Sequence, residues 1–438
     1  MTHARTYEHP SENTIGRRGF LQRASLAAVG AGAVLLAEGA GPAVAASSGA
    51  GPDQLFRVGK FGAADRGYAS LLRKDPSNAH ALAQRGRIAL LSNDFRDAER
   101  FLTRAIESAP DDKFAKQQLA ECFIRQDDVA RAVPLLRGTG DPTDMAFADQ
   151  YASVTGRAYQ MGGAHKTRVP FVSVDPLPSV RASLNGAQAE TFLIDTGATL
   201  ALSTKSAQEA GLRAVATSTT HPAGQTLTTY HGVMESFRLG DIVLRNVPVV
   251  WYDLRMPSLP DGSEPAGVIG TTLLYHFIAT MDYAGQALVL RRKTPAQVRD
   301  LRAEAGRTGA DRLPLWLAGD HIPFTLGSVN DDGPRVASLD TGGMGLGIMM
   351  NEKNAVRAGV EIDYDHPQDM GPMKVYPIAP ARVSLGRAVG RNVPGLVGDW
   401  PWIDLFGFET IGNFSHEFFK PRAITFDYAS MDFHITAR

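Results

Sequence analysis

A single cysteine, Cys122, stands in the 438-residue chain. An intramolecular disulfide is therefore excluded, the fold must be held by packing alone, and no lipid-attachment cysteine follows the N-terminal segment. A surplus of one charge sign is missing too. The 45 Lys and Arg face 46 Asp and Glu, which leaves no electrostatic footprint for nucleic acid or an anionic membrane. No run of 18 or more apolar residues follows the N-terminus, so no membrane span is expected in a mature form. Several chemistries lack their motifs: there is no Gly-x-Ser-x-Gly elbow, no Walker loop and no dinucleotide fingerprint. His416-Glu417 lacks the His-Glu-x-x-His spacing of a zinc helix.

What is present falls into blocks. Arg17-Arg18-Gly19-Phe20-Leu21 is a twin-arginine motif, followed by a mildly apolar stretch from Ala24 to Ala37 and by Ala43-Val44-Ala45 at cleavage-site positions. Residues 1–45 are thus expected to be a twin-arginine signal peptide that sends the protein to the periplasm or outside the cell, the alternative being an uncleaved membrane anchor. Residues 56–137 carry a 34-residue period: Phe61, Phe95 and Val129 recur at that spacing, as do Ala64, Ala98 and Ala132, and Pro76 and Pro110. Leu82, Gly86, Ala98, Leu102, Ala105 and Pro110 follow the tetratricopeptide pattern in order, with Gly86 and Ala98 letting paired helices approach. Such units serve either as a docking surface for a protein partner or as a helical spacer. Residues 138–167 are expected to be a linker with one helix, Ala146 to Tyr159, ended by Met161-Gly162-Gly163. From Val169 onward the runs become short, β-rich and punctuated by Gly, Pro and Asn.

The triplet Asp-Thr-Gly occurs twice in this β-rich part, at Asp195-Thr196-Gly197 and Asp340-Thr341-Gly342, 145 residues apart. Each copy ends an apolar run suited to a buried strand. One such triplet arises by chance in about one chain in ten of this length; two, each ending a strand, in about one in several hundred. The surroundings are duplicated as well. Lys205-Ser206-Ala207-Gln208-Glu209-Ala210-Gly211-Leu212 is echoed by Lys353-Asn354-Ala355-Val356-Arg357-Ala358-Gly359-Val360, and Arg245-Asn246-Val247-Pro248 returns as Arg391-Asn392-Val393-Pro394. Val268-Ile269-Gly270 is matched to Thr410-Ile411-Gly412, Val169-Pro170-Phe171 to Ile322-Pro323-Phe324, and the Asp282-Tyr283 pair to Asp427-Tyr428. Two copies of one fold unit are expected, over residues 168–293 and 313–438, joined by a helical connector at 294–312.

Hydrophobic-Asp-Thr-Gly-Ala-Thr, followed some 70 residues later by apolar-apolar-Gly, resembles retropepsin-like and pepsin-like aspartic proteases, and the resemblance covers Arg168 to Arg438. It implies a multidomain chain: a helical tetratricopeptide-like module, then an all-β bilobal protease of two β-barrel-like lobes. Pepsin-like enzymes usually carry disulfides, which this chain cannot. It implies an endopeptidase acting on a peptide or protein substrate, with Asp195 and Asp340 catalytic and Thr196, Gly197, Thr341 and Gly342 supporting their loops. The resemblance implies two carboxylates close together that share one proton and need neither metal nor other cofactor; at ~3 Å and an effective dielectric of ~20, two like charges would repel by about 5 kcal/mol. The ionised partner activates a water and the protonated one serves the scissile carbonyl.

Substrate-covering flaps are expected between each triplet and its Arg-Asn-Val-Pro segment. In the first lobe this is a hairpin around Ala223-Gly224-Gln225, with Tyr230 on the return strand; in the second it is the stretch holding Met370 and Gly371. Trp400-Pro401-Trp402 either lines a subsite or packs at the lobe interface. The second lobe departs from the pattern after its triplet, where Gly343-Met344-Gly345-Leu346-Gly347 is rich in glycine. That run is the one feature favouring a rival reading, a non-catalytic protein that binds peptides in the bilobal cleft. A third reading is a scaffold whose helical repeats carry the function.

Overall fold

The computed structural model describes residues 50–220, 227–253, 256–370 and 373–437. The twin-arginine segment, Gly224 and Gly371 lie outside the described residues. An N-terminal helical region is followed by a β-rich part with a barrel-like sheet.

Among the described residues seven helices come first: α1 (Pro52–Arg57), α2 (Phe61–Lys74), α3 (Ala79–Leu91), α4 (Phe95–Ser108), α5 (Lys113–Ile124), α6 (Val129–Arg137) and α7 (Pro142–Ala152). The 34-residue period is physical: α2, α4 and α6 begin at Phe61, Phe95 and Val129. Side chains at the same spacing cap the intervening helices, with Asn78 Oδ1 accepting from Ala81 N at 2.9 Å and Asp112 Oδ1 from Ala115 N at 3.1 Å. Gly86 is required where α3 meets α4, since a Cβ there would stand 2.4 Å from Leu102 Cγ. The linker differs from expectation. Its helix runs from Pro142 to Ala152, where Asp141 caps the Thr143 and Asp144 amides. Met161-Gly162-Gly163 does not end a helix but forms strand Gln160–Gly163, paired antiparallel with Ile242–Tyr252.

The helical module packs on both lobes. Phe56 and Phe61 join Trp316, Phe324, Phe406 and Phe408 of the second lobe in one buried aromatic cluster. Trp400 and Trp402 stack on each other in that cluster, and Trp400 Nε1 donates to Met350 O, so this pair serves packing. Arg125, 7% exposed, donates to Leu90 O in its own module and to Leu317 O and Gly319 O in the second lobe. On the first lobe, buried Gln150 donates to Gly232 O and Val249 O, both at 2.8 Å.

In the first lobe, strand Leu227–Leu239 pairs with both Ser179–Leu184 and Ile242–Tyr252, closing an eight-stranded sheet into a barrel. Glu190–Asp195 delivers the first triplet and lies parallel to Gly267–Gly270. The second lobe repeats this with Asp332–Leu339 beside Asn413–Phe414, also parallel. A six-stranded sheet beneath takes three strands from each lobe, and at its centre Thr280 faces Thr425 with their hydroxyls 2.8 Å apart. These two threonines are 145 residues apart, like the two aspartates, so the pseudo-twofold axis of the duplication runs through both pairs.

That constant register corrects two sequence matches. Leu193 pairs with Val268 and Ser338 with Asn413, so the counterpart of Val268-Ile269-Gly270 is Asn413-Phe414-Ser415, not Thr410-Ile411-Gly412. Gly270 and Ser415 then cap equivalent short helices, Thr271–Leu274 and His416–Phe419. Likewise Lys166–Pro170 and Asp311–Pro314 are the equivalent outer strands of the central sheet, whereas Ile322-Pro323-Phe324 belongs to the strand equivalent to Ser179–Leu184. The connector helix spans Pro295–Thr308, and strand Asp311–Pro314 straddles the expected boundary at 312/313.

The register also accounts for the glycine-rich run. At Gly270 a Cβ would sit 2.0 Å from the backbone carbonyl oxygen of Ala198, so the first lobe keeps glycine at this position. The second lobe makes the opposite choice: Ser415 Oγ donates to Asp340 O at 2.7 Å and accepts from Gly343 N at 3.0 Å, and a Cβ on Gly343 would lie 2.1 Å from that hydroxyl. Met344 and Leu346 within the run are buried, at 1% and 2% exposure. The run is packed, not loose. We expect Gly343→Ala and Ser415→Gly each to destabilise the protein, and the double variant to be less destabilised than the sum of the two by at least about 1 kcal/mol in denaturant unfolding. Simple additivity would contradict this steric pairing.

Candidate active site

Both triplets arrive at the end of a buried strand and turn into each other. Thr196 N donates to Thr341 Oγ1 at 3.0 Å, and Thr341 N donates to Thr196 Oγ1 at 3.1 Å. Each hydroxyl then donates across the interface, Thr196 Oγ1 to Leu339 O at 3.1 Å and Thr341 Oγ1 to Ile194 O at 3.5 Å. All these groups are buried, and the pattern is symmetric about the pseudo-twofold axis.

The bracing brings Asp195 and Asp340 together at 1% and 6% exposure. Gly197 N donates to Asp195 Oδ1 and Gly342 N to Asp340 Oδ1, both at 2.8 Å. The glycines are needed because the opposite carboxylate crosses over them. A Cβ on Gly342 would stand 2.1 Å from Asp195 Oδ2, and one on Gly197 would stand 2.6 Å from Asp340 Cγ. No alanine fits at either place without pushing the carboxylates apart.

The two half-sites differ in one respect that sequence reasoning missed. Asn413 Nδ2 donates to Asp340 Oδ2 at 2.8 Å, and Ser338 Oγ donates to Asn413 Oδ1 at 2.7 Å. Leu193 and Val268 occupy the equivalent positions in the first lobe, and Asp195 Oδ2 has no protein donor. Burial, followed by the charge of Asp340, drives the Asp195 carboxyl well above the usual carboxylate range. In the singly protonated pair the proton therefore belongs on Asp195, opposite an Asp340 whose two oxygens already receive hydrogen bonds. The signal for Asn413 was available in the sequence, but only in the 145-residue register that the Thr410-Ile411-Gly412 match obscured.

The remaining residues singled out from sequence fall near the site or away from it. Tyr230 lies on the hairpin Ala216–Thr220/Leu227–Leu239, but its ring stacks on Trp251, at 5.9 Å and 16°. Strand alternation sends it to the opposite face from Thr229 and His231. Met370 is 6% exposed and packs with Val375, Leu396 and Trp400 in the second lobe's core. Tyr252 is 8% exposed, and burial, then the Asp195 carboxylate once ionised, pushes its phenol up to about 12.

Among the described residues, two clusters could hold a cation, Asp175 with His416 and Glu417, and Asp427 with Asp432 and His434. Lys420 already pairs with Asp175 at 2.6 Å and Arg312 with Asp432 at 2.7 Å, so a side-chain cation serves each.

Comparison with known proteins adds one match in this region. Residues 180–273, most of the first lobe, match the family model described as aspartyl protease. No curated protein matches the chain. Among solved structures, a retropepsin-like aspartic protease from Rickettsia conorii is similar at 18% identity, over 31% of this chain and 96% of that one, with a TM-score of 0.22. A mutant O-GlcNAc transferase from Thermobaculum terrenum is similar at 19% identity over 24% of this chain, also with a TM-score of 0.22, and only 22% of its length is covered.

The raised Asp195 carboxyl has a consequence for stability. Its folded value lies above the unfolded value of about 3.9, so between the two the folded state holds a proton that the unfolded state has lost. Stability is thus fully present below the ordinary carboxylate range and declines as pH rises through the raised value. The Asp195→Asn variant has no such proton to lose. It should melt above the wild type at neutral pH and level with it near pH 3; a variant that melts lower at neutral pH would contradict the assignment.

Proposed function

We propose that this chain is an aspartic endopeptidase with one active site per chain, built across its two lobes. The observation that carries this reading is the reciprocal crossing of the triplets, in which each glycine lies under the other lobe's aspartate. Asp340, ionised and held by Gly342 N and Asn413, takes a proton from water as the water oxygen attacks the scissile carbonyl carbon. Asp195 gives its proton to the carbonyl oxygen, so charge does not accumulate on the tetrahedral intermediate. Collapse of the intermediate breaks the C–N bond, the amine leaves with the proton held by Asp340, and the gem-diol returns one to Asp195. The match of residues 180–273 to aspartyl proteases supports the same chemistry.

The helical module is read as tetratricopeptide-like on the strength of its 34-residue helix pairs and the fit of Gly86 to Leu102. The motif Arg17-Arg18 with Ala43-Val44-Ala45 supports export by the twin-arginine route to the periplasm or beyond. A peptide-binding protein without activity is disfavoured, because the second loop keeps its aspartate, its backbone donors and tight packing.

The test is cleavage of a denatured protein substrate across acidic to neutral pH. Asp195→Asn and Asp340→Asn should each lose about three or more orders of magnitude in kcat, with the double variant losing little more, as expected of groups that act as a unit. Retention of most activity by a folded Asp340→Asn variant would overturn the two-carboxylate reading.

A further inference from the structure

Directly beyond the first triplet, a cavity of about 90 Å3 lies beneath the hairpin of the first lobe. Its inner wall is Ala198–Ala201, the four residues that follow Asp195-Thr196-Gly197, together with Val268 on the adjoining strand. Tyr252 lines the same cavity. Its outer wall comes from outside the lobes altogether, from Thr143, Phe147 and Tyr151 of α7.

That wall is fixed. Gln150, 1% exposed, ties α7 to the backbone of both long strands of the lobe through Gly232 O and Val249 O. One turn earlier, the Phe147 ring meets His231 edge to face, with centroids 4.8 Å apart and planes at 86°. His231 is fully buried and its Nε2 is 2.7 Å from Ser218 Oγ, while Nδ1 has no protein partner. Burial lowers its pKa to about 4, so the imidazole lining this cavity is neutral over most working pH. Asp320 and His321, which close the side nearest the second lobe, pair with each other. Among the described residues, the equivalent place in the second lobe is filled: Met344, at the position equivalent to Thr199, is packed with Leu177, Leu193 and Leu259.

We propose that this cavity is a substrate side-chain subsite and that α7 of the helical module is its specificity wall. The inference rests on the endopeptidase reading above and extends it to substrate class. Most of the lining surface is apolar, its imidazole at His231 is neutral and its one carboxylate, Asp320, is already paired with His321, so the cavity favours an apolar side chain. Size then decides which one: a cavity of ~150 Å3 accommodates benzene, so about 90 Å3 suits a Val- or Leu-sized branch and excludes an aromatic ring. The helical module is thereby part of the active site, and substrate preference depends on residues some 50 positions before the first catalytic aspartate.

The test is a peptide library scanned position by position with the full-length wild type, Phe147→Ala and Thr143→Phe, with melting temperatures recorded for each. The wild type should prefer an aliphatic side chain at one subsite. Phe147→Ala should shift that subsite alone toward aromatic side chains, by about 10-fold or more in kcat/KM, the scale on which apolar pockets discriminate. Thr143→Phe, which fills the cavity from the rim of the helix, should raise KM for the aliphatic peptides about 10-fold with little change in kcat. An unchanged profile in folded, active variants would overturn the proposal. A uniform rise in activity at every position would overturn it too, since it would mark α7 as an obstruction and not a wall. Failure of the endopeptidase reading is distinguishable, because the wild type itself would then leave every peptide uncut.

Discussion

The reciprocal hydrogen bonds between Thr196 and Thr341 are the interaction on which the rest of the molecule depends. Each hydroxyl satisfies the other triplet's amide and reaches back to the strand that delivered it. A buried amide or carbonyl left without a partner costs about 1–3 kcal/mol, so loss of one hydroxyl, which orphans two such groups, would take a large share of a typical domain's 5–15 kcal/mol. The same bonds set the approach of the two carboxylates, because Gly197 and Gly342 can only lie under the opposing aspartates if the loops are pinned. Stability at the lobe interface and the chemistry of the pair are thus one arrangement.

Duplication supplies a symmetric frame, and the useful chemistry comes from where the frame is broken. Thr280 facing Thr425 and Asp195 facing Asp340 mark the axis. Around it, the apolar neighbours Leu193 and Val268 are replaced in the second lobe by Ser338 and Asn413, which deliver a hydrogen bond to Asp340. Two carboxyl groups that would be equivalent by descent are made inequivalent by one pair of residues, and the shared proton acquires a preferred side. The exchange of Ala198 and Gly270 for Gly343 and Ser415 is a second such break, and it is sterically compensated.

The parts of this account legible in sequence were those with local signatures. The triplets, their spacing and the 34-residue helical period are repeated strings, and the structure places helix starts at Phe61, Phe95 and Val129 as that period requires. Short strings failed where two similar ones competed. Thr410-Ile411-Gly412 resembles Val268-Ile269-Gly270 more closely than Asn413-Phe414-Ser415 does, yet strand pairing selects the latter. Met161-Gly162-Gly163 reads as a helix stop, but an edge pairing with Ile242–Tyr252 makes it a strand. The role of α7 left no sequence signal, since its contacts join Gln150 to Gly232 and Val249, about 80 and 100 residues away.

The central claim is that Asp195 and Asp340 form a buried pair holding one proton between them at neutral pH. Infrared difference spectroscopy of the carboxylic acid C=O band tests it without any substrate. The wild type near pH 6 should show one protonated carboxyl that is missing from Asp195→Asn; in Asp340→Asn, where burial alone still raises the Asp195 carboxyl, the band should persist but titrate away at a lower pH than in the wild type. A band of equal intensity in all three proteins, or no such band in the wild type, would contradict the account.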